Sequence, residues 1–221
     1  MDLQRELKKR VKRGKAKILQ GYFKESQPFL GVMVPEIRGI AKLYYQENKE
    51  RGRKEVFAAA EKLFKGGYHE EKNLALFILQ QYNGHFDVVP FCEKHLSWFD
   101  NWDLTDMLGA GTIGKKALKD KKVIKKLYVW AKSKNLWTRR LAAVSTLPLI
   151  KEKNIEPAMK IAGMLAGDKE YMVQKGYAWT LKEAAVIDTG RVVKFLKEHN
   201  SPRLVVNIAK EKMPAKIKKA L

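Results

Sequence analysis

Cysteine and acidic residues are both scarce in this chain. Its 221 residues include one cysteine, Cys92, which excludes an internal disulfide and fits a reducing compartment such as the cytoplasm. Asp and Glu number 24 against 45 Lys and Arg, so the net charge is +21. Nucleic-acid phosphates would offset the mutual repulsion of so many cations. A thermophile-like surface is the alternative, but it usually brings matching Glu. The charge therefore favours a nucleic-acid partner.

Long apolar runs and strand patterns are also lacking. No run approaches the ~20 apolar residues that a membrane span needs. The first residues lack the apolar core of a signal peptide. We therefore expect a soluble, cytoplasmic protein with no membrane partner. Alternation of apolar and polar residues, which is typical of half-buried strands, is nearly absent.

Signatures of cofactor and metal sites are incomplete. Cys92 and His95 have C-x-x-H spacing, but no second ligand pair accompanies them. Residues 109–114 match G-x-G-x-x-G, but they follow no predicted strand. We interpret these small residues as positions of close helix packing, and we expect neither a cofactor nor a metal ion.

Apolar spacing of the helical kind runs through most of the chain. Leu74, Phe77, Ile78 and Tyr82 mark one face of a helix near 70–82. Pro35, Asn101 or Asp100, Pro202 and Pro214 indicate helix starts, and Gly66, Gly67, Gly84 and Gly167 indicate breaks. The pattern predicts about a dozen helices joined by short turns.

Four short segments repeat weakly along the chain. Their first residues, Lys72, Asp106, Arg140 and Lys175, are 34, 34 and 35 positions apart. A fixed period of this size predicts an all-α solenoid of HEAT-like repeats, whose equivalent positions line a concave face. We expect one domain over 1–221, with a basic helical region at 1–30 and stacked helix pairs at 31–221. The first positions would form a basic track interrupted by one carboxylate.

That carboxylate lies beside aromatic residues in the repeat pattern. Trp102 precedes Asp106 by four residues, and Trp179 follows Lys175 by four. A carboxylate can stabilise the oxocarbenium-like sugar formed when a base leaves deoxyribose, and indole faces attract cationic groups. A base that is alkylated on a ring nitrogen already carries positive charge and leaves without a general acid. Packing tryptophans and a simple Asp106–Arg140 salt bridge are the structural alternative. Asp103 leaves a paired-carboxylate interpretation open as well, although it suits the first turn of a helix.

Several segments resemble the AlkD-like alkylpurine DNA glycosylases, which are built from HEAT-like repeats. Segment 29–38 is similar to their F-L-G…P…R entry, 102–106 to W-D-x-x-D, 136–140 to W-x-x-R, and 175–179 to K-x-x-x-W. The resemblance implies a monofunctional glycosylase that removes cationic lesions such as 3-methyladenine and 7-methylguanine from duplex DNA. Asp106 would be the catalytic carboxylate, and Trp102 and Trp179 would flank the lesion's deoxyribose.

The resemblance and the basic track together predict the DNA contacts. Arg140 matches a family residue that contacts phosphate near the lesion. The remaining candidates are Arg38, Lys72, Arg139, Lys175, Lys182 and Arg203. The chain departs from the family at 100–101, at Lys182 and at 201–203, which leaves the detailed phosphate contacts and the lesion range open.

Two other functions stay open at this point. A helical-repeat protein that binds duplex DNA or structured RNA without catalysis would share the basic track. A protein-binding solenoid with an acidic partner would share the architecture. We expect a monomer that acts on double-stranded DNA with no obligate protein partner.

Overall fold

The computed structural model describes residues 1–24 and 26–221, and its described residues form helices and turns without any strand. The prediction of an all-α fold is confirmed. Contacts along the chain group it into two compact units, Met1–Trp98 and Phe99–Leu221. The single-domain solenoid with a concave basic face stays a prediction.

The first unit is built around one long central helix. Its helices are α1 Leu3–Lys8, α2 Lys15–Gln20, α3 Val34–Glu47, α4 Arg53–Phe64, α5 His69–Tyr82, α6 Val89–Lys94 and a 3₁₀ turn Leu96–Trp98. Both α3 and α4 pack on α5. The predicted apolar face of α5 is buried, with Leu74, Ile78 and Tyr82 fully inaccessible to solvent. This burial is why the segment folds as a helix between two neighbours.

The second unit holds the remaining helices in two rows. They are α7 Trp102–Leu108, a π-helical turn Gly109–Ile113, α8 Gly114–Lys119, α9 Lys121–Trp130, α10 Leu136–Val144, α11 Leu147–Lys151, α12 Glu156–Leu165, α13 Tyr171–Ala185, α14 Thr189–Glu198, α15 Arg203–Ala209, a 3₁₀ turn Lys210–Lys212 and α16 Ala215–Ala220. One row packs α7 on α10, α10 on α13 and α13 on α15. The other row includes α9, α12 and α14, which pack on α10 or α13.

The predicted helix starts and breaks agree with the structure. Asn101 caps α7, because its side-chain oxygen accepts the Leu104 backbone N–H at 3.1 Å. Pro202 and Pro214 directly precede α15 and α16. The sixteen α-helices of the described residues exceed the predicted dozen, since several are only five to seven residues long. No described helix is both long and apolar enough to cross a membrane.

The glycine-rich segment 109–114 is a place of close packing, as interpreted from the sequence. A Cβ atom on Gly114 would lie 2.4 Å from the Ser145 carbonyl oxygen and 2.7 Å from Pro148. On Gly109 it would lie 2.6 Å from a methyl group of Val144. Only a residue without a side chain lets the backbone of this segment approach so closely.

Gly114→Ala should therefore destabilise the protein by about 1–3 kcal/mol, because the methyl group forces backbone shifts. Gly163→Ala is the matched control. Gly163 lies in α12, where an added Cβ meets atoms at 3.9 Å and beyond. Gly163→Ala should raise the free energy of unfolding by up to about 1 kcal/mol, because alanine favours a helix more than glycine does. Urea unfolding of both variants measures the difference, and equal effects would contradict the packing interpretation.

Candidate active site

Asp106 and Arg140 meet where α7 packs on α10. The 34-residue spacing gives the two residues equivalent positions on neighbouring helices, which explains their contact. Arg140 Nε donates to Asp106 Oδ1 at 2.9 Å, and Nη2 donates to Oδ2 at 2.7 Å. Two parallel bonds of this kind fix both the position and the orientation of a carboxylate.

Arg140 also binds the third helix of the row. Its Nη1 donates to the backbone carbonyl of Met172 in α13 at 2.6 Å. A Cβ atom on Gly176 would lie 3.1 Å from Arg140 Cγ, so this glycine leaves room for the arginine stem. One side chain thereby links α7, α10 and α13. Its exposed fraction is only 5%, which limits direct contact with DNA in this arrangement.

The Asp106 carboxylate is largely buried but remains partly exposed to solvent. Its side chain retains 19% of its accessible surface, against 7% for that of Arg140. Burial raises the pKa of Asp106, and the Arg140 guanidinium opposes that rise because it stabilises the charged form. Asp103, one turn earlier on α7, acts in the same direction as burial. Arg140 is thus the neighbour that most strongly favours an ionised Asp106, with a smaller effect from Thr105.

A pocket of about 230 Å³ adjoins the ion pair. It is lined by Arg140, Lys175, Trp179, Lys182, Ile208 and Glu211. The structure therefore gathers three of the predicted DNA contacts around the predicted aromatic residue Trp179. Asp106 is not one of the lining residues, but it is bonded to Arg140, which is. Trp102, the first residue of α7, is half-buried one turn before Asp106.

The sequence did not predict that Glu211 and Lys212 form ion pairs with α13. Lys182 Nζ lies 3.0 Å from Glu211, and Lys212 Nζ lies 2.6 Å from Glu183. These crossed ion pairs hold the 3₁₀ turn 210–212 against α13. The only sequence signal was a pair of adjacent opposite charges at 182–183 and again, in reverse order, at 211–212.

The remaining predicted DNA contacts are not among the residues that line the pocket. Arg139 Nε donates to Asp168 at 2.6 Å, and its Nη1 donates to the Ser133 and Lys134 carbonyls. Arg203 is exposed at the start of α15. In the first unit, Arg38 lies 5.1 Å from the centre of the Phe77 ring, and Lys72 is half-buried in α5. Their roles in DNA binding stay predictions.

Cys92 has a different environment from a reactive thiol. Its side chain is buried, and this burial raises its pKa to about 12, so the nucleophilic thiolate is scarce at neutral pH. His95 stacks on Trp98 at 3.7 Å between ring centres and lies 3.3 Å from Glu61. Among the described residues, no group of three or more His, Cys, Asp or Glu side chains is arranged to hold a metal ion.

Solved structures of similar fold come from two bacteria. A predicted DNA alkylation repair enzyme from Enterococcus faecalis matches with a TM-score of 0.83 and 18% identity, over 93% of this chain and 98% of that one. AlkD2 from Streptococcus mutans matches with a TM-score of 0.63 and 20% identity, over 90% and 98% of the two chains. At these identities the likeness concerns the fold.

Comparison by sequence identifies the family. No curated protein matches the chain in a sequence search. A family model described as DNA alkylation repair enzyme matches residues 3–213, which is nearly the whole chain. The ion-paired carboxylate and the basic pocket around Trp179 thus lie in a chain that belongs to the DNA alkylation repair enzyme family.

Proposed function

We propose that this protein is a monofunctional DNA glycosylase that hydrolyses the N-glycosidic bond of cationic alkylated purines in duplex DNA. The observation that carries the proposal is the two-point ion pair between Asp106 and Arg140 beside the Trp179 pocket. Membership of the DNA alkylation repair enzyme family supports DNA as the substrate. 3-Methyladenine and 7-methylguanine are the lesions that we expect.

The proposed chemistry needs one negative group near the sugar. The bond between C1′ and the base nitrogen breaks, the electron pair leaves with the base, and the cationic purine departs neutral. The sugar then carries oxocarbenium character, which the Asp106 carboxylate stabilises. Water donates a hydrogen bond to the same carboxylate, adds to C1′ through its oxygen and passes its proton to Asp106, which releases it to solvent. Each Asp106 oxygen accepts one bond from Arg140 and retains acceptor capacity for this task.

The ion pair gives Arg140 a role that differs from a phosphate contact. Because Arg140 is buried and donates to both carboxylate oxygens, it acts in the proposal as the residue that keeps Asp106 ionised and oriented. Lys175 and Lys182 on the pocket rim then supply the phosphate contacts nearest the lesion. Lys182 must exchange Glu211 for phosphate to do so.

The two tryptophans complete the proposed site. Trp179 lines the pocket together with its cations, and Trp102 lies on α7 one turn from the carboxylate. Indole faces attract the positive charge of the base before cleavage and of the sugar during it. The protein would work as a monomer on double-stranded DNA without a cofactor.

The same ion pair also favours a second candidate function. A carboxylate whose two oxygens both accept bonds from one arginine suits a purely structural salt bridge. In that case the chain would bind nucleic acid through its basic surface without catalysis. The two candidates differ in whether any base is released.

Release of methylated purines from duplex DNA treated with a methylating agent distinguishes the two candidates. We expect free 3-methyladenine and 7-methylguanine to appear in chromatography of the supernatant, in proportion to time and protein. Unmethylated duplex is the control and should release nothing. Tight, salt-dependent binding of the same duplex with no released base would overturn the proposal in favour of the binding protein.

A further inference from the structure

A lysine-rich segment of the second unit contributes nothing to the lining of the Trp179 pocket. The segment 114–134, which includes α8 and α9, carries nine lysines and one acidic residue, Asp120. None of these lysines lines the pocket. The proposed glycosylase chemistry makes no use of them.

These lysines differ from the cations near the Trp179 pocket in whether a carboxylate pairs with them. Arg139, Arg140 and Lys182 each form an ion pair. In the part of the chain that the structure describes, six lysines of α8 and α9 have no carboxylate oxygen within 4.0 Å, namely Lys115, Lys116, Lys119, Lys121, Lys122 and Lys125. The positive charge of this surface is therefore left for a partner to neutralise.

Helix stability gives no reason for this charge. Lys121 and Lys122 fall in the first turn of α9, which holds no acidic residue, and the acid at this end is Asp120, which caps the helix. The N-terminal end of a helix carries partial positive charge, so cations there are unfavourable. A binding role accounts for a cluster that the fold alone disfavours.

The α9 lysines extend from a helix whose apolar side is buried against the rest of the protein. Val123, Leu127 and Trp130 are buried, while Lys121 and Lys125 lie on the opposite side of the helix. Because that apolar side packs inside the protein, the helix cannot insert it into a lipid surface. Val129 is the large apolar side chain of α9 that stays exposed, at 70%, and the rest of the exposed side is mainly lysine. This arrangement favours a partner that is bound mainly by charge.

We propose that the lysine surface of α8 and α9 is a second binding surface for the phosphodiester backbone of duplex DNA, outside the base-release site. All nine basic residues of 114–134 are lysines, which bind phosphate as mobile point charges, whereas arginine is the residue for bidentate recognition of guanine. The surface would therefore hold DNA of any sequence.

The aromatic residues of this region favour a duplex over a single strand. Single-strand binding uses exposed aromatic rings on which bases stack. Here Lys160 Nζ lies 4.4 Å from the centre of the Tyr128 ring, and Trp130 is buried. The surface thus offers charge without a stacking platform, which fits the outer backbone of a double helix.

The salt dependence of binding to an undamaged 30-base-pair duplex tests this proposal. The triple variant Lys121→Gln, Lys122→Gln, Lys125→Gln removes three surface cations. The control triple Lys151→Gln, Lys153→Gln, Lys197→Gln removes the same charge from exposed lysines elsewhere in the second unit. Each lost phosphate contact reduces the magnitude of the negative slope of log K against log salt by about 0.9. We expect this magnitude to fall by about 2–3 for the α9 triple and by less than about 1 for the control. The unfolding midpoints of both should stay close to the parent's.

Equal slopes for the two triples would overturn the proposal, as would a loss of binding to phosphatidylserine vesicles with unchanged DNA binding. The latter outcome would assign the surface to anionic lipid. Because the duplex is undamaged, the result is separate from the proposed catalysis. A chain that shows the slope change but releases no base contradicts the glycosylase proposal alone.

Discussion

Asp106→Asn should lower the rate of base release by roughly 10²–10³-fold or more while binding of methylated duplex is retained or strengthened. The amide keeps the shape of the carboxylate but loses the negative charge that stabilises the oxocarbenium-like sugar. It also removes an acid from the proposed DNA-binding region, which favours phosphate binding. Single-turnover release from a duplex with one 7-methylguanine, with protein in excess, measures the chemical step directly.

Asp103→Asn is the matched control for that experiment. Asp103 lies on the same helix α7, and the substitution is chemically identical. Since Asp103 raises the pKa of Asp106, its removal should leave the rate unchanged or slightly higher at acidic pH. A loss of activity in Asp103→Asn comparable to that in Asp106→Asn would support the paired-carboxylate mechanism, and full activity of Asp106→Asn would remove the assigned role.

Arg140→Gln should shift the pH dependence of base release to higher pH. Without the guanidinium, burial of Asp106 loses its main opposition, with only the smaller effect of Thr105 remaining, and the pKa of the carboxyl rises further. Catalysis needs the ionised form, so the rate at a fixed neutral pH falls and recovers as pH rises above the new pKa. The variant should also lose about 3–5 kcal/mol of stability, because a buried charge loses its partner.

Arg139→Gln is the control that separates the shift in the pH–rate profile from a general loss of stability. Arg139 is the adjacent residue and also forms an ion pair, with Asp168, so its loss costs stability without touching Asp106. Its pH–rate profile should match that of the parent. If Arg140→Gln were not rescued at higher pH, or if both variants shifted alike, Arg140 would be structural rather than a positioning residue for Asp106.

The helical spacing of the sequence predicted the fold well where a helix has one clear apolar face. The buried side of α5 and the capped start of α7 are local features, and both were expected. The repeat also brought Asp106 and Arg140 to equivalent positions. The division at Trp98 and the many short helices depend on packing between distant segments, which local spacing does not encode.

The sequence did not predict that the Arg140 side chain points into the protein. An arginine at an exposed repeat position suits a phosphate contact, and the family resemblance implied one. The guanidinium turns inward because the Met172 carbonyl accepts a hydrogen bond there and Gly176 leaves space for the stem. The glycine inside α13 was a usable signal, since glycine in a helix costs stability and needs a reason.

Glu211 shows a second limit of sequence analysis. Its contact with Lys182 joins residues 29 positions apart through the turn that follows α15. Neither residue has a local pattern that specifies the other as its partner. Such a contact depends on how α13 and α15 pack, so it emerges only from the three-dimensional structure.

The proposed mechanism requires the Asp106 carboxylate to face a cationic sugar. Binding to two duplexes tests this requirement, one with a neutral tetrahydrofuran abasic site and one with a pyrrolidine whose ring nitrogen is protonated at the position of C1′. The parent protein should bind the cationic duplex more tightly, and Asp106→Asn should lose that preference. If both proteins preferred the cationic duplex equally, Asp106 would not be the group that stabilises the sugar.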